Sequence, residues 1–229
     1  MIQIQIGQEK KDYPEGTAWK QVAEEYQKFY ENDILLVNVN GKLQELHKGI
    51  REGRVKFITA ADKPGMSAYQ RSATLMMLKA FYEIVGAERI RKVSVDFSIG
   101  KGFFVDPEGD FQVTPQLLAQ VKEKMKEYAE AAIPIYKRSV GTDDAVEEFR
   151  RHRMYDEARL FAYRRVSRVN LYSLEGFEDY YYGYMVQNTS YIRYFDLIPY
   201  HQGFVMLLPQ MSSPRTLPQF IPQEKLFSV

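Results

Sequence analysis

The chain has 229 residues, of which 31 are basic and 30 acidic, so its net charge of +1 gives no bulk electrostatic footprint for nucleic acid. The absence of cysteine excludes disulfides, thiolate metal sites and a cysteine nucleophile. No apolar run approaches the ~20 residues of a membrane span, and the N-terminus lacks a signal-peptide pattern. We therefore expect a soluble, cytoplasmic protein with no membrane partner.

The first 60 residues predict a small mixed sheet around one helix. Ile2, Ile4 and Ile6 alternate with polar residues, which is typical of a strand with one buried face. Apolar residues recur at helical spacing from Trp19 to Tyr30, and Asn40–Gly41 indicates a hairpin whose two central residues need positive φ. The other predicted strands are Ile34–Val39, Leu43–Leu46 and Arg54–Thr59.

Residues 60–229 predict a larger region of mixed helices and strands, so the chain as a whole is predicted to be α+β. Residues 60–65 (AADKPG) are a polar break that we interpret as a linker. Helices are predicted over residues 67–85, 114–132 and 143–151, and strands over residues 93–97, 99–106, 135–140, 165–172, 180–186, 191–196 and 203–208. The tail over residues 209–229 holds four prolines and is interpreted as an exit linker or an arm lying on another element.

A set of short strings occurs in the order and spacing of a known protein family. They are Arg71–Ser72–Ala73–Thr74–Leu75, Gly102–Phe103–Phe104–Val105–Asp106, Thr114–Pro115, Ile133–Pro134, Ala145–x3–Phe149, Val186–x–Asn188–Thr189 and Phe195–x–Leu197. With these strings, residues 1–60 resemble the TGS domain of threonyl-tRNA synthetases, a β-grasp module. Residues 66–208 resemble the adjoining editing domain, which alanyl-tRNA synthetases share. The resemblance implies two domains followed by the exit linker.

The editing domain of that family hydrolyses a wrongly attached amino acid from tRNA. The family's zinc positions come from a His-x-x-x-His helix, whose two histidines lie on one helical face, and from a Cys-x-x-x-His loop. In this sequence those positions hold Arg71, Leu75, Tyr181 and Met185, none of which is a normal zinc ligand. We therefore expect no metal site and no catalytic residue in this chain.

A second resemblance covers the end of the chain. The strings are Tyr191–Ile192–Arg193–Tyr194–Phe195–Asp196–Leu197, Pro199–Tyr200–x–x–Gly203–Phe204 and Pro222–Gln223–Glu224–Lys225–Leu226. They resemble bacterial uridine-kinase-like proteins, in which the TGS and editing-like pair precedes a P-loop kinase domain. No Gly-x4-Gly-Lys-Ser/Thr motif occurs here. The resemblance implies a downstream kinase domain as partner, with ATP and Mg²⁺ serving that domain and no cofactor in this chain.

Two groups of residues are candidate binding sites. The first lines the emptied metal cleft, where tyrosines stack a base and arginine binds an anion: Arg71, Tyr181, Tyr182, Met185 and Arg193. The tyrosines also suit simple strand packing. The second is a possible basic surface, interleaved with aromatic residues, for RNA or phosphate: Arg150, Arg151, Arg153, Arg164 and Arg165. A solvated face with weak ion pairs is the alternative for these arginines.

Three functions remain open from the sequence. The leading hypothesis is a non-catalytic regulatory region of a nucleoside-kinase-like protein that binds tRNA, a nucleoside or a nucleotide. The alternative is a trans-editing deacylase or a tRNA-binding module, in either case without zinc. The third is a structural domain that packs on the kinase and binds no ligand.

Overall fold

The computed structural model describes residues 1–142, 144, 146, 147 and 168–223. Helices and several β-sheets occur together in these ranges, which confirms the predicted α+β class. The helices are α1 (Trp19–Tyr26), α2 (Lys63–Val85) and α3 (Pro115–Ala131). The strands are β1 (Ile2–Ile6), β2 (Glu9–Tyr13), β3 (Ile34–Val39), β4 (Lys42–Glu45), β5 (Gly53–Thr59), β6 (Ile90–Ile99), β7 (Gly102–Gly109), β8 (Tyr136–Gly141), β9 (Arg168–Leu174), β10 (Phe177–Tyr180), β11 (Asp196–Tyr200) and β12 (Gly203–Leu207). No helix of the described residues is both long enough and apolar enough to cross a bilayer.

The first five strands form one mixed sheet in the order β2-β1-β5-β3-β4. Strands β1 and β5 run parallel, and the other neighbours run antiparallel. Asn40 and Gly41 have φ values of 50° and 85°, and Val39 pairs with Lys42, so the predicted hairpin is confirmed. Trp19 of α1 is fully buried and belongs to the core of this sheet together with Phe57. The assignment of these residues to the β-grasp class stays a prediction.

Helix α2 begins at Lys63, before the predicted start at Ser67, so the end of the predicted linker is its first turn. Pro64 is tolerated there because a first-turn residue needs no N–H donor. The preceding Asp62 has an extended backbone, and its carboxylate accepts a hydrogen bond of 2.9 Å from the Thr59 N–H. The chain therefore passes from β5 into α2 through a hydrogen-bonded turn.

Helix α2 lies at the centre of the larger core. It contacts α3 and the strands β3, β5, β6 and β9. Its residues Leu75, Met76 and Phe81 are fully buried, and they share one core with Leu36 and Ile58 of the first sheet. The remaining strands form a sheet in the order β11-β12-β7-β6 and another in the order β10-β9-β8. The first sheet is thus packed onto the rest of the protein through α2.

Two predicted strands differ from the structure. Strand β10 ends at Tyr180, so the predicted strand over residues 180–186 is wrong beyond its first residue, and β11 begins only at Asp196, after a 3-10 turn over Thr189–Tyr191. The strand propensity of tyrosine predicted both segments, but tertiary packing overrides it. Gly183 has a φ of 124°, and the chain there turns inward to bury Met185. Most of the predicted helix over residues 143–151 lies outside the described residues, as does the start of the predicted strand over 165–172.

The described part of the proline-containing tail lies on the turn between β6 and β7. The ring of Phe220 lies 5.4 Å from that of Tyr200, and the Gln223 N–H donates to the Tyr200 hydroxyl at 3.1 Å. The tail passes so close to Gly100 that a Cβ there would lie 2.5 Å from the Ile221 carbonyl oxygen. Residues 220–223 of the tail therefore pack against this sheet, which favours the arm over the linker among the two interpretations that the sequence left open.

Glu83 of α2 joins the two long helices, and its replacement by glutamine is expected to destabilise the protein in a pH-dependent way. Burial acts to raise the pKa of this carboxyl, but hydrogen bonds from Lys124, Tyr128 and Lys79 outweigh it and lower the pKa from 4.5 to about 2. A carboxyl with a depressed pKa stabilises the fold above its unfolded pKa and loses that contribution as pH falls through the folded pKa. Because the Glu83 side chain is 43% exposed, solvent screening limits the expected loss for Glu83→Gln to about 1 kcal/mol.

Urea denaturation at pH 7 and at pH 3 tests this expectation. The gap in unfolding free energy between wild type and Glu83→Gln should be present at pH 7 and shrink at pH 3, within the window between 4.5 and about 2. Glu130→Gln, on an exposed position of α3, is the matched control. An equal gap at both pH values would contradict the assigned role of the Glu83 charge.

Candidate functional site

The segment that follows β10 packs on one turn of α2, where the sequence placed the emptied metal cleft. Met185 is 1% exposed and belongs to the same core as Leu75 of α2. The Val186 N–H donates to the Ser72 hydroxyl at 3.0 Å, and that hydroxyl donates to the Ala68 carbonyl at 2.8 Å. The Met185 side chain, at one of the zinc positions implied by the resemblance, is therefore part of the packed core.

Arg71 of α2 also contacts the segment that follows β10. Its Nε donates to the Tyr184 carbonyl oxygen at 2.9 Å, and its guanidinium lies against Gly183, where a Cβ would come within 2.8 Å of the Arg71 Cζ. Burial lowers the pKa of the Arg71 guanidinium, while the nearby Tyr172 and Glu45 act to raise it. The neighbouring Glu45 carboxylate thus offsets part of the effect of burial on this cation.

That carboxylate, Glu45, is the polar centre of the region. It ends β4, is 2% exposed, and accepts hydrogen bonds from the Tyr172 hydroxyl at 2.7 Å and the Met185 N–H at 3.2 Å. The Lys137 ammonium lies 3.5 Å from its second oxygen, and the His47 Nε2 lies 4.0 Å from the same oxygen. A buried carboxylate requires such partners, because leaving it unpaired costs several kcal/mol. We call Glu45, Tyr172, Lys137 and the Met185 N–H the Glu45 cluster.

Burial and the nearby Glu45 shift the pKa values of the Tyr172 phenol and the His47 imidazole. Burial raises the pKa of the Tyr172 phenol, and the charge and hydrogen bond of Glu45 raise it further. Burial also lowers the pKa of His47, against the opposing effect of Glu45. Tyr172 therefore remains a neutral donor to Glu45, while the imidazole of His47 is harder to protonate than an exposed one.

The residues at the four family zinc positions do not fit a zinc ion. Arg71 offers only N–H donors, and Leu75 has no ligand atom. Tyr181 offers a phenol in place of a Cys, His, Asp or Glu ligand, and the Met185 thioether is a weak ligand buried in the core. Among the residues that the structure describes, no three His, Cys, Asp or Glu side chains gather in a metal-binding arrangement. These four positions therefore offer zinc no set of ligands that would hold an activated water molecule for hydrolysis.

The other candidate residues are dispersed. Tyr182 is 87% exposed, whereas Tyr181 is half-buried and packs against the core. Arg193 lies at a different junction, where it pairs with Asp33 of the first sheet region at 2.6 Å. The candidate basic surface formed by Arg150, Arg151, Arg153, Arg164 and Arg165 lies outside the described residues. Ligand binding by either group stays a prediction.

An open cavity of about 740 Å³, which we did not predict from the sequence, lies beside the Glu45 cluster. Its lining includes Lys42, Lys48, Arg51, Lys137 and Tyr184. Within the described ranges, Lys42, Lys48 and Arg51 form no ion pair. A local signal existed in the basic run HKGIREGR over residues 47–54, but the contribution of Lys137 and Tyr184 depends on tertiary structure.

The sequence matches no model of a known protein family. It is similar to threonine–tRNA ligases: 26% identical over 151 residues to that of Syntrophomonas wolfei, 28% over 160 residues to that of Geobacter sp. (strain M21), and 27% over 196 residues to threonine–tRNA ligase 1 of Bacillus subtilis. These alignments cover 65%, 69% and 82% of this chain but only 23%, 25% and 29% of the ligases. The chain therefore spans about a quarter of the length of the curated relatives it matches. The similarity supports the tRNA-synthetase-like part of the prediction, and the kinase context stays a prediction.

Proposed function

We propose that the chain is a tRNA-binding module, similar to part of the threonine–tRNA ligases, that does not carry out zinc-dependent hydrolysis. The observation that carries the zinc-free part of the proposal is the chemistry of the site on α2. Arg71 and Met185 occupy two of the zinc positions implied by the resemblance, one tied to the Tyr184 carbonyl and the other buried in the core. Neither side chain activates a water molecule.

Binding of tRNA is supported by two further facts. The relatives are enzymes that join threonine to tRNA by name, and the similarity extends over two thirds or more of this chain in most of these alignments. The described surface also carries cationic side chains that no carboxylate neutralises, notably Lys48 and Arg51. Contacts to phosphate supply most of the sequence-independent affinity of a protein for nucleic acid, so a local basic surface suffices although the net charge is only +1.

We expect the protein to bind tRNA without releasing an amino acid from it. The test incubates the protein with a panel of mischarged tRNAs, with and without added Zn²⁺, and measures retained RNA and released amino acid in the same samples. Saturable retention with release at the rate of the protein-free control is the expected result, because the site holds neither metal ligands nor a nucleophile with a neighbouring base.

The opposite result identifies the competing function. Amino-acid release above the control, lost in Arg71→Ala, would overturn the proposal in favour of a deacylase that works without zinc. Arg91→Ala is the matched control, because it removes an exposed arginine that pairs with Glu108 and belongs to neither candidate group. A lack of RNA retention at low salt would overturn the proposal as well.

A further inference from the structure

We infer that the cavity beside Tyr184 binds a phosphorylated ligand with an aromatic portion, which is the chemistry of a nucleotide. Lys42, Lys48 and Arg51 line the cavity and supply the contacts for the phosphate, and Tyr184, which also lines it, supplies the contact for the base. The volume of about 740 Å³ lies within the roughly 300–1,000 Å³ that small-molecule sites occupy, and it exceeds what a lone phosphate needs.

The charge of the lining selects an anion. Four cationic side chains, those of Lys42, Lys48, Arg51 and Lys137, line the cavity together with the single carboxylate of Glu45. That carboxylate is already engaged by Tyr172 and Lys137. The other three cations have no ion-pair partner within the described part of the chain, so a phosphate meets unneutralised positive charge. Lysine serves as a point charge and arginine as a two-pronged donor for phosphate oxygens.

The backbone that carries these cations is fixed in place. Lys42 begins β4 directly after the Asn40–Gly41 turn. The loop between β4 and β5 is held to the start of α1 by three backbone hydrogen bonds, from the Trp19 N–H to the Lys48 carbonyl, from the Lys20 N–H to the Leu46 carbonyl and from the Ile50 N–H to the Thr17 carbonyl. A ligand therefore finds the loop already ordered, which reduces the entropy that binding costs.

The remaining lining combines apolar and aromatic side chains with Gln44 and two glycines. Leu43 and Ile50 belong to it, and the Tyr184 ring is positioned by the Lys137 ammonium, which lies 5.3 Å from the ring centroid. Aromatic side chains stack on any nucleobase, and this contact is tolerant of base identity. A lining that combines an aromatic ring with cationic side chains suits a nucleotide better than a sugar phosphate or an inorganic anion.

Such a nucleotide has two sources, a free nucleotide or the terminal nucleotide of an RNA. The RNA source rests on the proposed function, whereas binding of a free nucleotide does not. The two are separated by using AMP, CMP, GMP and UMP as free probes, ribose 5-phosphate as a probe without a base, and tRNA as both a ligand and a competitor.

Isothermal titration of the full chain with each probe tests the inference. At least one nucleoside monophosphate should bind more tightly than ribose 5-phosphate, and Lys48→Ala/Arg51→Ala should raise its dissociation constant by about tenfold or more. Tyr184→Leu should remove the preference over ribose 5-phosphate. Lys10→Ala/Lys28→Ala, which removes two exposed lysines elsewhere on the first sheet region, is the matched control and should leave binding unchanged.

Competition by tRNA for the bound nucleotide assigns the cavity to an RNA end, and its absence assigns the cavity to free nucleotides. Both results support the site. The inference is overturned if no monophosphate binds and Lys48→Ala/Arg51→Ala weakens tRNA binding no more than the control variant does. A wild-type protein that binds AMP but not tRNA would refute the proposed function and leave the nucleotide site standing.

Discussion

Glu45→Ala is expected to lower the free energy of unfolding by about 3 kcal/mol, because it removes one member of a buried ion pair. The change leaves the half-buried ammonium of Lys137 without its carboxylate and the buried Met185 N–H without an acceptor. In a chain of this size that loss corresponds to a fall in melting temperature of roughly 6–12 °C. Thermal and urea unfolding of the purified variant measure both quantities.

Glu45→Gln separates the charge from the hydrogen bonds. The amide oxygen of glutamine still accepts hydrogen bonds from Tyr172 and Met185 but gives Lys137 no opposite charge. We therefore expect an intermediate loss of unfolding free energy, about 1–2 kcal/mol. Glu25→Ala is the matched control, since this carboxylate also accepts from a lysine and a tyrosine, Lys11 and Tyr13, but is 41% exposed. Its loss should stay below about 1 kcal/mol. Equal losses for Glu45→Ala and Glu25→Ala would refute the central role of the Glu45 cluster in joining the first sheet to β8 and β9.

Gly65→Ala is expected to cost about 2–3 kcal/mol, although alanine is the better helix former. Gly65 lies in the first turn of α2, where a Cβ would lie 1.9 Å from the Thr59 carbonyl oxygen and 2.6 Å from the Thr59 carbonyl carbon. Both atoms are backbone, so β5 and α2 must separate to admit a methyl group. The gain of about 1 kcal/mol in helix propensity does not offset this clash.

Gly49→Ala is the control for that prediction. A Cβ at Gly49 would have the Thr17 carbonyl oxygen, 3.9 Å away, as its nearest contact, so the change in unfolding free energy should stay within about 0.5 kcal/mol. Urea denaturation of the two variants side by side measures the difference. If Gly65→Ala is as stable as Gly49→Ala, then the close approach of α2 to the end of β5 does not constrain the fold.

Local chemistry allowed part of the fold to be predicted from the sequence. The Asn40–Gly41 turn requires positive φ at both residues, and few other structures satisfy that pair. Thr114 caps α3 by accepting a hydrogen bond of 3.1 Å from the Leu117 N–H, with Pro115 following at a first-turn position. Both signals depend on residues within a few positions of each other, and the hairpin predicted from the first is confirmed.

The candidate site could not be predicted from the sequence, because its residues come together through contacts between distant parts of the chain. Glu45 meets Lys137, Tyr172 and Met185 at separations of 92, 127 and 140 residues. Nothing in the strand Lys42–Glu45 marks its last residue as buried, because alternation alone leaves a carboxylate free to face solvent. The segment after Tyr180 was predicted as strand for the same reason: its propensity is local, whereas its burial against α2 is tertiary.

An equilibrium titration of fluorescently labelled tRNA with protein freed of metal by a chelator tests whether the protein binds tRNA without zinc. We expect saturable binding that weakens as salt is raised and does not change when Zn²⁺ is restored. Binding depends on cationic side chains, and the part of the chain that the structure describes contains no metal-binding group of His, Cys, Asp or Glu side chains. Binding that appears only after Zn²⁺ is restored, or no binding at low salt in either condition, would contradict the assignment of this chain as a zinc-free tRNA-binding module.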